Sequence, residues 1–331
     1  MKKVLIIPSN IKAEAILYYR ATQPATFLNA NKYADVKFLT KFPNDKGRID
    51  LSAFAWADTI ITQRFYSDND FLKFLRKGYD LFKGKKIYET DDLVWNVPYK
   101  PIRKEYEKTK DFTEKLIQEA DIITCTTEYL KQEILKKRQR CRVDVIPNSV
   151  DNGMWLWERP HYSRTRILYA AGGTHWKEVT FIKKIIKQIK KKHDVETILL
   201  SPYFKEKEGK IWDHVYSFVP FKNFPEFMTH IAPDIGLAPI VDKTSFNLSK
   251  SNIKYLDFSM AGAASVLEDC ACFDNVDSAI KVNGIKEWVA GIEKLLDKKV
   301  RDKLLKDAKE EIWRKFDIHK TVSLWRTAIR E

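Results

Sequence analysis

Short apolar runs rich in β-branched residues alternate with segments of helical period along this chain, and the alternation stops once and then restarts. Lys3–Pro8, Val36–Leu39, Ala57–Arg64, Lys85–Glu89, Asp121–Cys125 and Val143–Pro147 read as strands. Between them Gln23–Asn31, Phe71–Tyr79, Ile102–Glu119 and Glu128–Lys137 read as helices, the last capped by Thr127. Strands apolar on both faces and separated by helices predict a parallel, doubly wound sheet. The pattern then breaks. Residues 148–153 have turn chemistry and 155–163 have no period. A second series follows: strands at 166–171, 197–200, 215–220, 234–240 and 264–267, with helices at 181–192, 251–261, 286–297, 301–315 and 316–330. The expected fold class is α/β, with two Rossmann-like doubly wound domains facing across a cleft. The boundaries fall at 1–152 and 153–315.

Composition agrees with two cores. The chain has 331 residues, more than one average domain, and 44% of them are hydrophobic. No apolar run has membrane-spanning length, and no small-residue cleavage site follows Met1–Pro8, so a cytoplasmic protein without a transmembrane segment is expected. Four scattered cysteines do not make a disulfide framework, and Cys270 and Cys272 have no histidine at zinc-ligand spacing. The expectation is reduced thiols and no metal. The formal net charge of +14 asks for a polyanionic partner, although many lysines fall in helical runs where they also serve to solvate an outer face.

Four stretches hold candidate chemistry. In 245–262, a helix from Ser251 to Ala261 is predicted, with Ile253, Leu256 and Met260 facing a core. Lys250, Lys254 and Asp257 fall on another arc, near a helix N-terminus that favours anions. Ammonium groups suit a diphosphate and a carboxylate suits ribose hydroxyls; a solvated helix face is the other reading. Next, Gly172-Gly173-Thr174 joins a strand to a helix, where backbone N–H groups can meet phosphate and Lys177 adds charge; a plain tight turn fits as well. The spacings of a Walker loop and of Gly-x-Gly-x-x-Gly are absent, which argues against a dinucleotide cofactor. Third, Glu89, Asp91 and Asp92 end a strand, where close carboxylates make a general base, bind sugar hydroxyls or simply cap a turn. No histidine precedes His161, so a base from the first half has to be a carboxylate. Last, Tyr19 and Arg20 follow the first strand and suit either an acceptor or a packing patch.

Taken in order, Tyr18-Tyr19-Arg20, Tyr88-Glu89-Thr90-Asp91-Asp92, Ala120–Thr127, Val145–Asp151, Gly172–His175, and Ala238-Pro239 followed by Phe246-Asn247 and Lys250–Asp257 resemble the GT-B nucleotide-sugar glycosyltransferases of the group-1 type, bacteriophage-like, over nearly the whole chain. The resemblance implies a donor nucleotide on the C-terminal domain, an acceptor on the N-terminal one, and a last helix, 316–331, returning to the first. Carried over, it puts Gly173 and Thr174 at the donor phosphates, Lys250 and Lys254 at the diphosphate and Asp257 at the ribose. Together with the residue readings above, Gly172, Lys177, Phe246, Asn247 and Ser251 join them as candidates around a UDP-sugar, Glu89, Asp91 and Asp92 are the candidate catalytic pool, and Tyr19 and Arg20 the acceptor candidates. The family's Glu-x7-Glu pair ends here at Asp257 but begins at Ser249, so its sugar-facing carboxylate is missing. A retaining reaction, metal-independent with the nucleotide-sugar as co-substrate, is implied.

The charge, with basic and aromatic material at Lys83–Lys86 and Tyr99–Lys104, directs the acceptor expectation to a hydroxymethylated base in phage DNA, extruded from the duplex in a host cytoplasm. A surface polysaccharide or lipid-linked glycan is the alternative acceptor. A non-catalytic nucleotide-sugar or DNA-binding module is the other class.

Overall fold

The computed structural model describes residues 1–8, 14–39, 51–64, 69–98, 100–172, 176–201 and 211–331. The chain divides into two compact units: Met1–Ser149 with Thr244–Ser251 and Ile318–Glu331, and Val150–Lys243 with Asn252–Asp317. The segment 244–251, expected in the second domain, therefore clusters with the first unit.

Unit 1 holds β1 (Lys2–Ile7), β2 (Ala34–Phe38), β3 (Thr59–Gln63), β4 (Lys85–Thr90), β5 (Ile122–Cys125) and β6 (Arg142–Val145) in the order β2-β1-β3-β4-β5-β6. All its pairs are parallel. Unit 2 holds β7 (Thr165–Ala170), β8 (Val195–Leu200), β9 (His214–Tyr216), β10 (Ile235–Ala238), β11 (Ala264–Glu268) and β12 (Ile280–Val282), again all parallel, in the order β12-β11-β10-β7-β8-β9. The order reverses between β1 and β3 in one sheet and between β7 and β10 in the other. Helices diverge to opposite faces at such a reversal, which leaves a crevice at the carboxyl ends of the strands.

Both sheets are buried on two sides, so their strands read as continuous apolar runs. In β1, Val4, Leu5, Ile6 and Ile7 are all buried. The last helix, Ile318–Arg330, buries Ile318, Val322, Trp325 and Ile329 in the core of unit 1 beside helix Gln23–Ala30. Helix Glu128–Lys137 begins where Thr127 Oγ1 accepts from the Leu130 backbone N–H at 3.1 Å. Thr127→Ala is expected to cost about 1 kcal/mol, read as a lower urea midpoint with unchanged slope; an unchanged midpoint would mean that the cap is idle.

Several short elements lie outside the sequence expectation, among them helix Glu14–Leu17 and the helical turn Tyr18–Thr22 in a stretch expected to be irregular. Helix Ser52–Trp56 is one turn long, helix Phe224–Ile231 has Pro225 in its first turn, and β12 is a three-residue edge strand, all too short for a periodic signal. The helix expected over 251–261 is present as Ile253–Met260, but the face it buries differs from the expectation. A separate helical turn, Ser245–Leu248, precedes it, with 249–252 between the two, so Lys250 is not on the same helix as Lys254 and Asp257. Helix Ile253–Met260 buries Tyr255, Leu256, Phe258 and Ser259; of the expected core face Ile253, Leu256 and Met260, only Leu256 is buried and the other two are half-buried. The reason lies in β10: a Cβ on Gly236 would come within 2.3 Å of the Phe258 ring, so the helix is seated on bare backbone through Phe258. Gly262, at φ +88°, ends it, with Ala263 N–H reaching Phe258 O at 2.8 Å.

Candidate active site

In unit 1 the carboxyl ends of β3 and β4 carry four charged side chains. Arg64 follows β3 with φ +49°, an uncommon conformation for a side chain of this size. Its Nε donates to Asp91 Oδ1, and its Nη2 donates to Asp92 Oδ2 at 2.8 Å. Burial alone would lower the guanidinium's pKa, but Asp91 and Asp92 together hold it above its ordinary value. One arginine thus fixes two carboxylates whose side chains are 13% and 18% exposed, open enough to meet a ligand. Sequence reasoning missed Arg64. A lone arginine at the end of an expected strand has no signal until register puts Gln63 opposite Glu89.

The three expected carboxylates do not act as one pool. Glu89 is fully buried and takes Arg20 Nε at 2.8 Å on Oε1. Burial pushes its carboxyl up to about 7, against the lowering influence of Arg20. Arg20 is itself 3% exposed; its Nη1 donates to Ile146 O at 2.7 Å, and its guanidinium lies 5.1 Å from the Trp325 ring centroid. Tyr19 is buried as well. The pair expected at the acceptor is therefore enclosed, and Arg20 ties its own helical turn, Tyr18–Thr22, to β4, the end of β6 and the last helix.

Segment 244–251 adds to this site from within unit 1. Phe246 is buried in the unit's main core cluster and Asn247 is 1% exposed, so both anchor the segment. Lys250 Nζ lies 3.9 Å from Asp92 Oδ1 and 4.7 Å from the Phe246 ring centroid. Ser251 Oγ accepts from Asn148 Nδ2 at 2.8 Å. Ser249, where the family has its first carboxylate, is fully buried, and its hydroxyl donates to Ser245 O at 2.7 Å.

Unit 2 presents the second half of the expected chemistry around its own strand reversal. Gly172 is exposed just past β7; Gly173 and Thr174 lie outside the described residues. Lys177, in the first turn of helix Trp176–Lys190, meets Asp242 Oδ2 at 2.6 Å, linking the segments that follow β7 and β10. The pair is partly exposed and worth about 0–1 kcal/mol at most, so a phosphate can take the lysine at little cost. Lys254 opens helix Ile253–Met260 with its ammonium 5.3 Å from the ring centroid of Tyr169, which is on β7. Asp257 lies one turn further on, half-buried. The break at 249–252 leaves Lys254 and Asp257 together and removes Lys250 from their helix. Among the described residues no group of three or more His, Cys, Asp or Glu is arranged to hold a metal, and no helix is long and apolar enough to cross a membrane.

No protein-family model and no curated protein matches the sequence. Solved structures do match, over the full chain. An alpha-glucosyltransferase in complex with UDP-glucose and DNA containing an abasic site aligns with a TM-score of 0.71 at 11% identity, covering 100% of both chains. The same kind of enzyme is found with UDP and a 13-mer DNA containing an HMU base. The trehalose-6-phosphate protein from E. coli bound with UDP-2-fluoro glucose aligns at 0.69 and 11%, covering 99% of each. A putative UDP-N-acetylglucosamine 2-epimerase from Listeria monocytogenes aligns at 0.60 and 12%, covering 100% of this chain and 96% of that one. At such identities the likeness is one of fold: two units, each a six-stranded parallel sheet with flanking helices, of GT-B type.

Proposed function

We propose that this chain is a glycosyltransferase that moves a sugar from a UDP-sugar to a hydroxymethylated base in duplex DNA, working in a cytoplasm. Unit 2 takes the nucleotide and unit 1 the acceptor. The donor half is supported by the fold likeness to structures holding UDP or UDP-sugars and by Gly172, Lys177, Lys254 and Asp257 around one strand reversal. The acceptor half rests on one observation. Unit 1 has 32 Lys and Arg against 21 Asp and Glu, +11, while unit 2 has 27 against 24, +3. The charge excess thus belongs to the unit with the Arg64 clamp, which is where a polyanion would be held. In this reading Lys177 and Lys254 stabilise the departing UDP as its charge develops, without a resident metal. Asp257 takes the ribose hydroxyls. Asp91 and Asp92, the carboxylates that reach the surface, meet the acceptor hydroxyl, while Glu89 positions Arg20.

The test is transfer of label from UDP-glucose to a hydroxymethylated duplex, with an unmodified duplex as control. Label on the modified duplex alone is the expected result. Affinity for the duplex should fall linearly with salt on logarithmic axes, with a slope of about −0.9 per phosphate neutralised. Label released to water, or an epimerised UDP-sugar, would defeat the proposal. A second reading has its own observation: Leu156 and Trp157 are 75% and 48% exposed and line a cavity with Lys222 in unit 2, a combination suited to an anionic lipid surface and a lipid-linked glycan. Flotation with anionic liposomes, with label in the lipid phase, would favour it.

A further inference from the structure

Beside the Arg64–Asp91–Asp92 cluster, unit 1 has a cavity of about 320 Å³ between residues 94–98 and helix Lys100–Glu119. The volume lies at the low end of the ~300–1,000 Å³ common for small-ligand sites, so it suits one substituted ring system better than a nucleotide-sugar. Its lining mixes flat, apolar and charged surface: Trp95 and Tyr106, Val94 and Val97, and the cations Arg103 and Lys110 interleaved with Glu107 and Glu114. The wall is held in place. Asn96 Nδ2 donates to Ser245 Oγ at 2.8 Å, and Arg103 donates to Val97 O at 3.1 Å and to Pro98 O at 3.0 Å. Lys137, itself held by Glu114 at 3.1 Å, lies 5.7 Å from the Trp95 ring centroid.

The cavity wall follows the carboxylates directly in the chain. Val94 N–H donates to Asp92 O at 2.9 Å, so the wall begins where the acidic pair ends. Burial raises the Tyr106 phenol well above its ordinary value, Arg64 opposes that rise, and Asp92 and Asp91 add to it, which places the ring within the field of the whole cluster.

We infer that this cavity seats the acceptor's heterocyclic ring, an extruded DNA base stacked against Trp95 and Tyr106 with its hydroxymethyl group toward Asp91 and Asp92. The inference rests on the DNA-acceptor reading and assigns it a place. Aromatic platforms bind bases with little regard to sequence, while Arg103 and Lys110 meet the flanking phosphates. The ring supplies most of the affinity for the flipped state, so a duplex with a base at the target position should bind about tenfold or more tightly than one abasic there.

Two measurements test this on the full chain. A duplex carrying 5-iodouracil at the target position is irradiated with the wild-type protein, and the cross-linked peptide is sequenced; attachment at Trp95 or Tyr106 is expected. In parallel, the affinity ratio of base-containing to abasic duplex is measured. It should fall to about one in Trp95→Ala and persist in Trp95→Phe, with abasic-duplex affinity unchanged in both. Cross-links confined to other peptides, or a ratio unmoved in Trp95→Ala, overturn the assignment while transfer to DNA continues. If the protein neither binds nor modifies the duplex, the acceptor reading falls first and takes this cavity's role with it. The cross-link needs no variant, so a Trp95→Ala protein that fails to fold leaves the question decidable.

Discussion

Arg20→Met is expected to lower stability by about 3–5 kcal/mol, the largest effect of any single substitution considered, because it strands a carboxylate in the interior. Arg20 and Glu89 are 3% and 0% exposed and meet at 2.8 Å. A methionine fills much of the volume but offers nothing to Glu89 Oε1, Ile146 O or Asn148. Glu89 then answers by binding a proton. The pH dependence follows from the direction of its shift. The Glu89 carboxyl is raised to about 7 in the folded protein, above the 4.5 of an unperturbed glutamate. Between those values the folded state holds a proton that the unfolded state has released, so stability falls as pH rises from about 4.5 to about 7 and this contribution is flat beyond. Removing Arg20 takes away an influence that lowers this pKa and so extends the window upward. Glu89→Gln abolishes it. Thermal midpoints of wild type and Glu89→Gln at pH 5 and pH 8 check the sign: the wild type's standing relative to the variant should be better at pH 5. A better standing at pH 8 would show that Arg20 keeps Glu89 ionised throughout.

Lys254→Ala is expected to reduce sugar transfer by about 10²–10³-fold in kcat, the loss typical of a deleted group that stabilises charge in a transition state. Little stability should go with it. Lys254 is half-buried in the first turn of helix Ile253–Met260, where alanine is a good helix former. The charge is the point, so Lys254→Arg should recover part of the rate and a neutral isostere, Lys254→Met, none. A KM for the UDP-sugar that rises with kcat unchanged would move the lysine's role from the leaving group to ground-state binding. An unchanged rate would remove it from the donor site.

The two sheets were legible because strands covered on both faces leave an unbroken apolar signature, as in Val4–Ile7 and Ile60–Ile61. The last helix was legible because Ile318, Val322, Trp325 and Ile329 keep a helical period. What escaped was set by contacts far apart in sequence. Phe258 on Gly236 decides which face of helix Ile253–Met260 is buried, and no window over 251–261 contains residue 236. Position also governs the fate of like residues. Glu89, Asp91 and Asp92 are neighbours in sequence, yet β4 turns the first inward to Arg20 and its end releases the other two to Arg64. Arg64 and the Trp95–Tyr106 cavity carry no local pattern at all; they emerge only when β3, β4 and the following helix are set side by side.

The allegiance of residues 244–251 bears on how such a protein can be cut and recombined. The chain passes between its units at 149/150, 243/244, 251/252 and 317/318, so neither unit is an uninterrupted gene segment. A chimera that replaces 150–317 wholesale would also exchange Phe246, a core side chain of unit 1, and the Ser245 hydroxyl that holds Asn96. A recombinant that keeps the native eight residues inside foreign flanks preserves that packing. Inheritance of a new unit 2 is thus tied to an octapeptide that unit 1 has already claimed, and breakpoints tolerated in evolution or in the laboratory should spare it.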